Sequence, residues 1–189
     1  MEQKEDKTLE KVNNEFDLRV QILCSTVHVE DEIISGFIKT CREMGDNVSY
    51  CTEIKYHHDA LLSALEPMKE SGVDNDTYQL SLNVMLAGIL RFYYQCIKKT
   101  LDNTFINKGV KENGQKIDLA LEMSVILALL NDLEGKINDN TLKELCKEVE
   151  GIPKACVDLV KAKQKASNPG CAAVILAILI PTILSFVIF

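Results

Sequence analysis

The chain has no tryptophan, three histidines and four prolines in 189 residues. His57 and His58 are adjacent and His28 stands alone, so no two histidines share a helix face at a spacing of four, as a helical metal site needs. No glycine-rich phosphate loop, nucleophile elbow or paired-cysteine zinc motif occurs. Polar and apolar residues nowhere alternate over a sustained run, which excludes a strand reading. The polar start, "MEQKEDKTLEKVNNEFD", lacks the apolar core of a secretory signal. The last 24 residues carry no charge. With these motifs absent, the chain reads as a non-enzyme that needs no cofactor and holds no catalytic or metal residues.

Charge and cysteine narrow the classes further. The net charge is −7, and the one basic run is Lys161, Lys163 and Lys165, ahead of the uncharged tail. Nucleic-acid binding draws its affinity from phosphate neutralisation, so it is excluded as a function class. The seven cysteines are odd in number and irregular in spacing, which fits reduced, buried thiols in the cytosol and not a disulfide framework.

What is present is helical periodicity. Residues 1–8 are polar and read as disordered. Leu9, Val12, Phe16, Val20 and Leu23 form one stripe. A helix is expected over about 31–50 and a shorter one over 54–65, closed by Pro67. "ESGVDND" is a loop in which Asp74 or Asp76 can cap the next helix. That helix, 77 to about 101, is apolar on nearly every face from Leu80 to Ile97, as is usual for a central helix. A second strongly apolar helix follows over 117–133. In it Asp118 and Glu122 are four apart; they are expected at the solvent edge, although two carboxylates also suit acid–base work. A final helical pair, 142–149 and 155–165, is expected to break at Gly151-Ile152-Pro153. The fold class is therefore all-α, a bundle of six to eight helices with two central apolar helices. It occupies residues 9–165, with a linker at 166–170.

Residues 171–189, "CAAVILAILIPTILSFVIF", form an uncharged stretch. As a helix it spans about 28 Å, close to the ~30 Å hydrocarbon core of a bilayer. The preceding lysines belong on the cytosolic side. The expected topology is a transmembrane tail anchor holding the helical domain in the cytosol. The sequons at Asn47 and Asn75 would then never meet the glycosylation machinery. A hydrophobic core helix is a second reading of the same stretch, and a lipid-anchor signal after the small residues Ser167, Asn168 and Gly170 a third, which would need an N-terminal signal peptide.

The expected 31–50 helix poses a question of its own, because Gly45 and Asp46 interrupt its amphipathic pattern and a helical glycine costs about 1 kcal/mol relative to alanine. Phe37, Cys41, Met44 and Val48 are spaced by four, three and four and share one face. Such a face suits a hydrophobic groove on another helical protein. There the glycine admits a close backbone and the acid can pair with an arginine.

This pattern resembles the third homology motif of the Bcl-2 family of apoptosis regulators. The resemblance places the four anchors at Phe37, Cys41, Met44 and Val48, the small residue at Gly45 and the acid at Asp46. Cys41 stands where the family has leucine, and the tryptophan motifs of its first and second homology regions are absent. By the same resemblance Gly88 and Arg91 are candidates for the groove, with Arg91 as a partner for the acid. The same residues 34–48 also fit an ordinary amphipathic helix that packs on its own core, with Gly45 near its C-terminal cap.

The resemblance implies a regulator of apoptosis that binds pro-death or pro-survival relatives, or their motif helices, helix-in-groove, and that can also dimerise. It implies a place on the mitochondrial outer membrane, with the endoplasmic reticulum as the alternative because no basic residue follows Cys171. A tail-anchored helical adaptor or trafficking protein unrelated to apoptosis is the competing function, and a pore-former a third.

Overall fold

The computed structural model describes residues 32–65 and 74–165. Within them the chain forms five helices: α1 Glu32–Asn47, α2 Cys51–Ser63, α3 Asn75–Ile106, α4 Leu119–Glu134 and α5 Asn140–Lys165. The expected stripe over 9–23, the linker and the tail over 171–189 lie outside the described residues. No strand occurs among the described residues. One antiparallel bridge, Val110 to Lys116, closes the loop between α3 and α4.

The bundle is organised by α3. Every residue from Val84 to Leu90 is buried, followed by Phe92, Tyr93, Tyr94, Cys96 and Ile97. A helix buried on all sides needs neighbours on all sides, and α1, α2, α4 and α5 all pack on it. Asp74 caps its N-terminus, accepting from the amides of Asp76 and Thr77 and from the Thr77 hydroxyl. The Thr77 contacts hold the Asp74 carboxyl below its usual range. The helix continues past the expected end near residue 101. Asn103 donates to the Ser49 carbonyl at 3.0 Å, and the Thr104 hydroxyl donates back to the Thr100 carbonyl. These ties hold a turn that a polar sequence alone does not signal.

α2 begins three residues earlier than the periodicity indicates. Its N-cap, Tyr50, supplies no side-chain bond. Tertiary partners serve instead: the Cys51 amide donates to the Thr100 hydroxyl at 2.9 Å and the Thr52 amide to Glu122 at 2.8 Å. These satisfy two of the four amides that a helix start leaves open.

The expected break at Gly151–Pro153 does not occur: α5 is one helix with Pro153 inside it. Proline removes a backbone bond and costs about 3 kcal/mol in a helix interior. Against that, Val149, Ile152, Cys156 and Val157 carry the apolar stripe across the proline, and all are buried. Burying such side chains yields roughly 1.5–3 kcal/mol each, so continuity of the stripe outweighs the lost bond.

The helix directions follow from the contacts. α1 runs parallel to α3, since Cys41 meets Gly88, Gly45 meets Phe92, and Ser49 meets Asn103. α2 runs antiparallel to α3, with Cys51 at Thr100 and His58 at Tyr93. α5 runs antiparallel to α4: Cys146 lies at Leu130 in the C-terminal half of α4, and Cys156 lies near Cys51, which adjoins Glu122 at the start of α4.

Candidate functional site

The motif face of α1 lies along α3. Cys41 and Gly45 are buried, Phe37 and Met44 half-buried and Asp46 exposed, while Val48, expected inside the helix, is buried one residue past the end of α1. Ile34 is sealed on the same face and Ile38 packs beside it. The closest approach is at Gly45. A Cβ there would collide with the Gln95 amide oxygen and sit 3.3 Å from the Phe92 ring. An added methyl group would push the Gln95 side chain aside and crowd Phe92, and glycine avoids both.

Gly88 repeats the device on the facing helix. A Cβ there would lie 3.6 Å from Ile38 and 3.9 Å from the Cys41 sulfur. The structure thus brings the motif helix and Gly88 together within one chain. Arg91 is half-buried on α3, one helical turn before Gln95. The cation at the acid's end of α1 is Lys99, a residue the motif pattern does not point to. Its ammonium donates to the backbone carbonyls of Gly45, at 2.8 Å, and Asp46. It thereby satisfies carbonyls that the end of α1 leaves open, and its positive charge lies at the negative end of that helix's dipole.

Compared with known protein families, curated proteins and solved structures, the chain matches none.

Two further polar constellations tie α2 into the bundle. Glu122 is buried, not at the solvent edge as its sequence context suggests. It accepts from the Thr52 amide and hydroxyl and from Lys111 at 3.0 Å. Lys111 in turn sits 4.3 Å above the Tyr50 ring. Asp118, its neighbour in the expected acid pair, caps α4 by accepting from the Leu121 amide.

At the other end of α2, buried His58 joins the Tyr93 hydroxyl on α3 to Asp132 on α4, the last at 3.0 Å. Burial pushes the Tyr93 phenol well above its ordinary range, with the Asp132 charge adding to it. Asp132 opens onto a cavity of about 530 Å³ lined also by Asp59, Leu62, Tyr78, Leu82 and Lys136. These partners are 35 and 74 residues apart in sequence, so no local pattern announces them.

The described cysteines Cys41, Cys51, Cys96, Cys146 and Cys156 are free and buried. Burial pushes the thiols of Cys41, Cys51 and Cys146 up to about 12 and that of Cys156 to about 11. Cys96 moves in the same direction for the same reason. Thiols held protonated in this way pack as small hydrophobes and do not act as nucleophiles. Among the described residues no group of His, Cys, Asp and Glu is placed to hold a metal ion.

Proposed function

We propose that this chain is a membrane-tethered regulator of the Bcl-2 kind, acting through hydrophobic helix-in-groove contacts with relatives or their motif helices. The observation that carries the reading is the seat of α1. A helix with the motif spacing lies lengthwise on an apolar helix, its glycine pressed against Phe92 and Gln95 and a second glycine facing it. The contact is of the type the motif makes with a partner, formed here within one chain. A competing motif helix would engage the same α3 surface, or α1 would leave it to enter a partner's groove. Asp46 stays exposed at the rim, where a partner's arginine can reach it.

The tail over 171–189 supplies the tether in this reading, on the mitochondrial outer membrane or the endoplasmic reticulum. Among the described residues α3 is the one helix long and apolar enough to cross a membrane, and most of it is buried in the bundle. That burial supports the tail, and not α3, as the membrane span.

The test is binding of the full chain in detergent to motif peptides from death-promoting relatives. Saturable binding that Asp46→Ala or Gly45→Leu weakens by tenfold or more, about 1.4 kcal/mol, supports the reading. No binding to any such peptide, together with indifference to both substitutions, rejects it and leaves the helical adaptor.

A further inference from the structure

The described residues hold six exposed large hydrophobic side chains, and four fall between residues 105 and 121: Phe105 at 52 %, Ile106 at 74 %, Val110 at 39 % and Leu121 at 54 %. They come from the last turn of α3, the connecting loop and the first turn of α4. The loop is shaped and not slack. Val110 bridges Lys116, and Lys108, Gly109 and Gly114 all take positive φ. Lys111 is fastened to Glu122. The structure thus presents apolar side chains on a fixed tip, where burying them inside would have been the ordinary outcome.

Charge separates the tip from the rest of the chain. Between residues 98 and 122 five lysines, Lys98, Lys99, Lys108, Lys111 and Lys116, stand against Asp102, Glu112, Asp118 and Glu122. This is a local surplus of one positive charge in a chain of net −7. Lys108 and Lys116 are both exposed on the loop that carries Val110. Apolar side chains flanked by lysine suit the boundary between anionic headgroups and acyl chains.

The route of α5 adds a third, independent observation. Cys156 lies near enough to Cys51 to raise its thiol further, and Cys51 is bonded to Thr100. Beyond that level α5 runs on for nine residues, about 13 Å at 1.5 Å per residue, and α3 runs on for six, about 9 Å. Both leave the bundle at the same end. Residues 166–189 therefore follow directly from the end that carries the tip.

We infer that the α3–α4 tip is a membrane-surface contact: Phe105, Ile106, Val110 and Leu121 dip into the headgroup–acyl boundary of an anionic bilayer, with Lys108 and Lys116 on the headgroups. The inference rests on the membrane tether proposed above and adds orientation to it. The tail holds the domain at the bilayer, and the tip fixes which end faces the lipid.

The absence of tryptophan makes the test direct. Full-length chain carrying Ile106→Trp is reconstituted into phosphatidylcholine vesicles with and without phosphatidylserine, with brominated lipid as quencher. Leu80→Trp is the control, 26 residues away along α3, or about 39 Å. The expected result for Ile106→Trp is a blue-shifted emission that falls by roughly half on anionic vesicles, as for side chains at the acyl boundary. Emission from the Leu80→Trp control should be unaffected. Adding Lys108→Glu and Lys116→Glu to the Ile106→Trp chain should return its emission to the level seen on neutral vesicles. A chain that floats with the vesicles while the tip indole behaves like the control overturns the tip and leaves the tether standing. A chain that does not float overturns both. A blue shift that follows protein concentration and not lipid assigns the patch to a second copy of the chain and overturns the proposal.

Discussion

α3 and α4 are near-equals in sequence, each a long apolar run with little charge in its middle, and they end in different environments. α3 is sealed from Val84 to Leu90 without a gap. α4 buries only Glu122, Met123, Ile126, Leu130 and Leu133, and leaves Leu121, Ser124 and Ala128 exposed. The difference is one of neighbours. Among the described residues four helices pack on α3, whereas α4 meets α2, α3 and α5 and keeps one side open. Apolar content states what a helix can bury, and the number of partners decides how much of it is buried.

The contrast can be broken first with base. Cys96 sits in α3, Cys41 packs on Gly88 and Cys51 is bonded to Thr100, so three buried thiols line α3, while Cys146 lies against α4 at the Leu130 carbonyl. Their folded-state pKa values are raised above the ordinary 9.0, to about 12 for Cys41 and Cys51. Below pH 9 folded and unfolded thiols are alike protonated and stability is flat. As pH climbs towards 12 the unfolded thiols ionise and the folded ones do not, so unfolding releases protons and stability falls. Denaturation followed from pH 7 to 11 should show a plateau and then a steep loss. Replacing all three by alanine or valine should reduce the loss, leaving the part that Cys146 and Cys156, also raised by burial, contribute.

Truncation comes next. Leu90→Ala, in the sealed part of α3, is expected to cost about 4 kcal/mol in urea unfolding. Glu122→Ala removes the only buried acid of α4 and leaves Lys111 and the Thr52 amide without their acceptor. About 3 kcal/mol is expected, with loss of protection at the Thr52 amide in hydrogen exchange. At the α1–α3 contact Gly45→Ala must displace Gln95 and should cost about 1–2 kcal/mol. Gly36→Ala, on the same helix with open space around the added Cβ, should gain up to about 1 kcal/mol. The smallest effect belongs to the open side of α4, where Leu121→Ala should change stability by no more than about 0.5 kcal/mol. A cost like that of Leu90→Ala would show that α4 is closed by a neighbour outside the described residues.

The all-α class and the centrality of α3 were legible because both rest on local periodicity. So was an aspartate cap, expected at Asp74 or Asp76 from a short-range pattern and found at Asp74. Three features were not. The start of α2 has no cap residue of its own and depends on Thr100 and Glu122, 49 and 70 residues away. The continuity of α5 turned on whether a stripe or a proline prevails, a comparison of magnitudes that needs the packed state. The expectation for Glu122 misread a charge on an apolar helix as a surface marker, because its partners Lys111 and Thr52 come from other elements. At the candidate site the glycine could be singled out from its cost alone, and Gly88 was named with it. Lys99, Phe92 and Gln95 could not be, because nothing in their own neighbourhood distinguishes them from other residues of α3.

The bonds from α2 to α4 also set a timetable for synthesis. Thr52 waits 70 residues for Glu122 and His58 waits 74 for Asp132. At ribosomal speeds of about 5–20 residues per second this is roughly 4–15 s. Through that interval α1 and the Cys51 end of α2 already have α3 to pack on, but Thr52 and His58 lack their α4 acceptors, so α2 gains its last two ties only when α4 emerges.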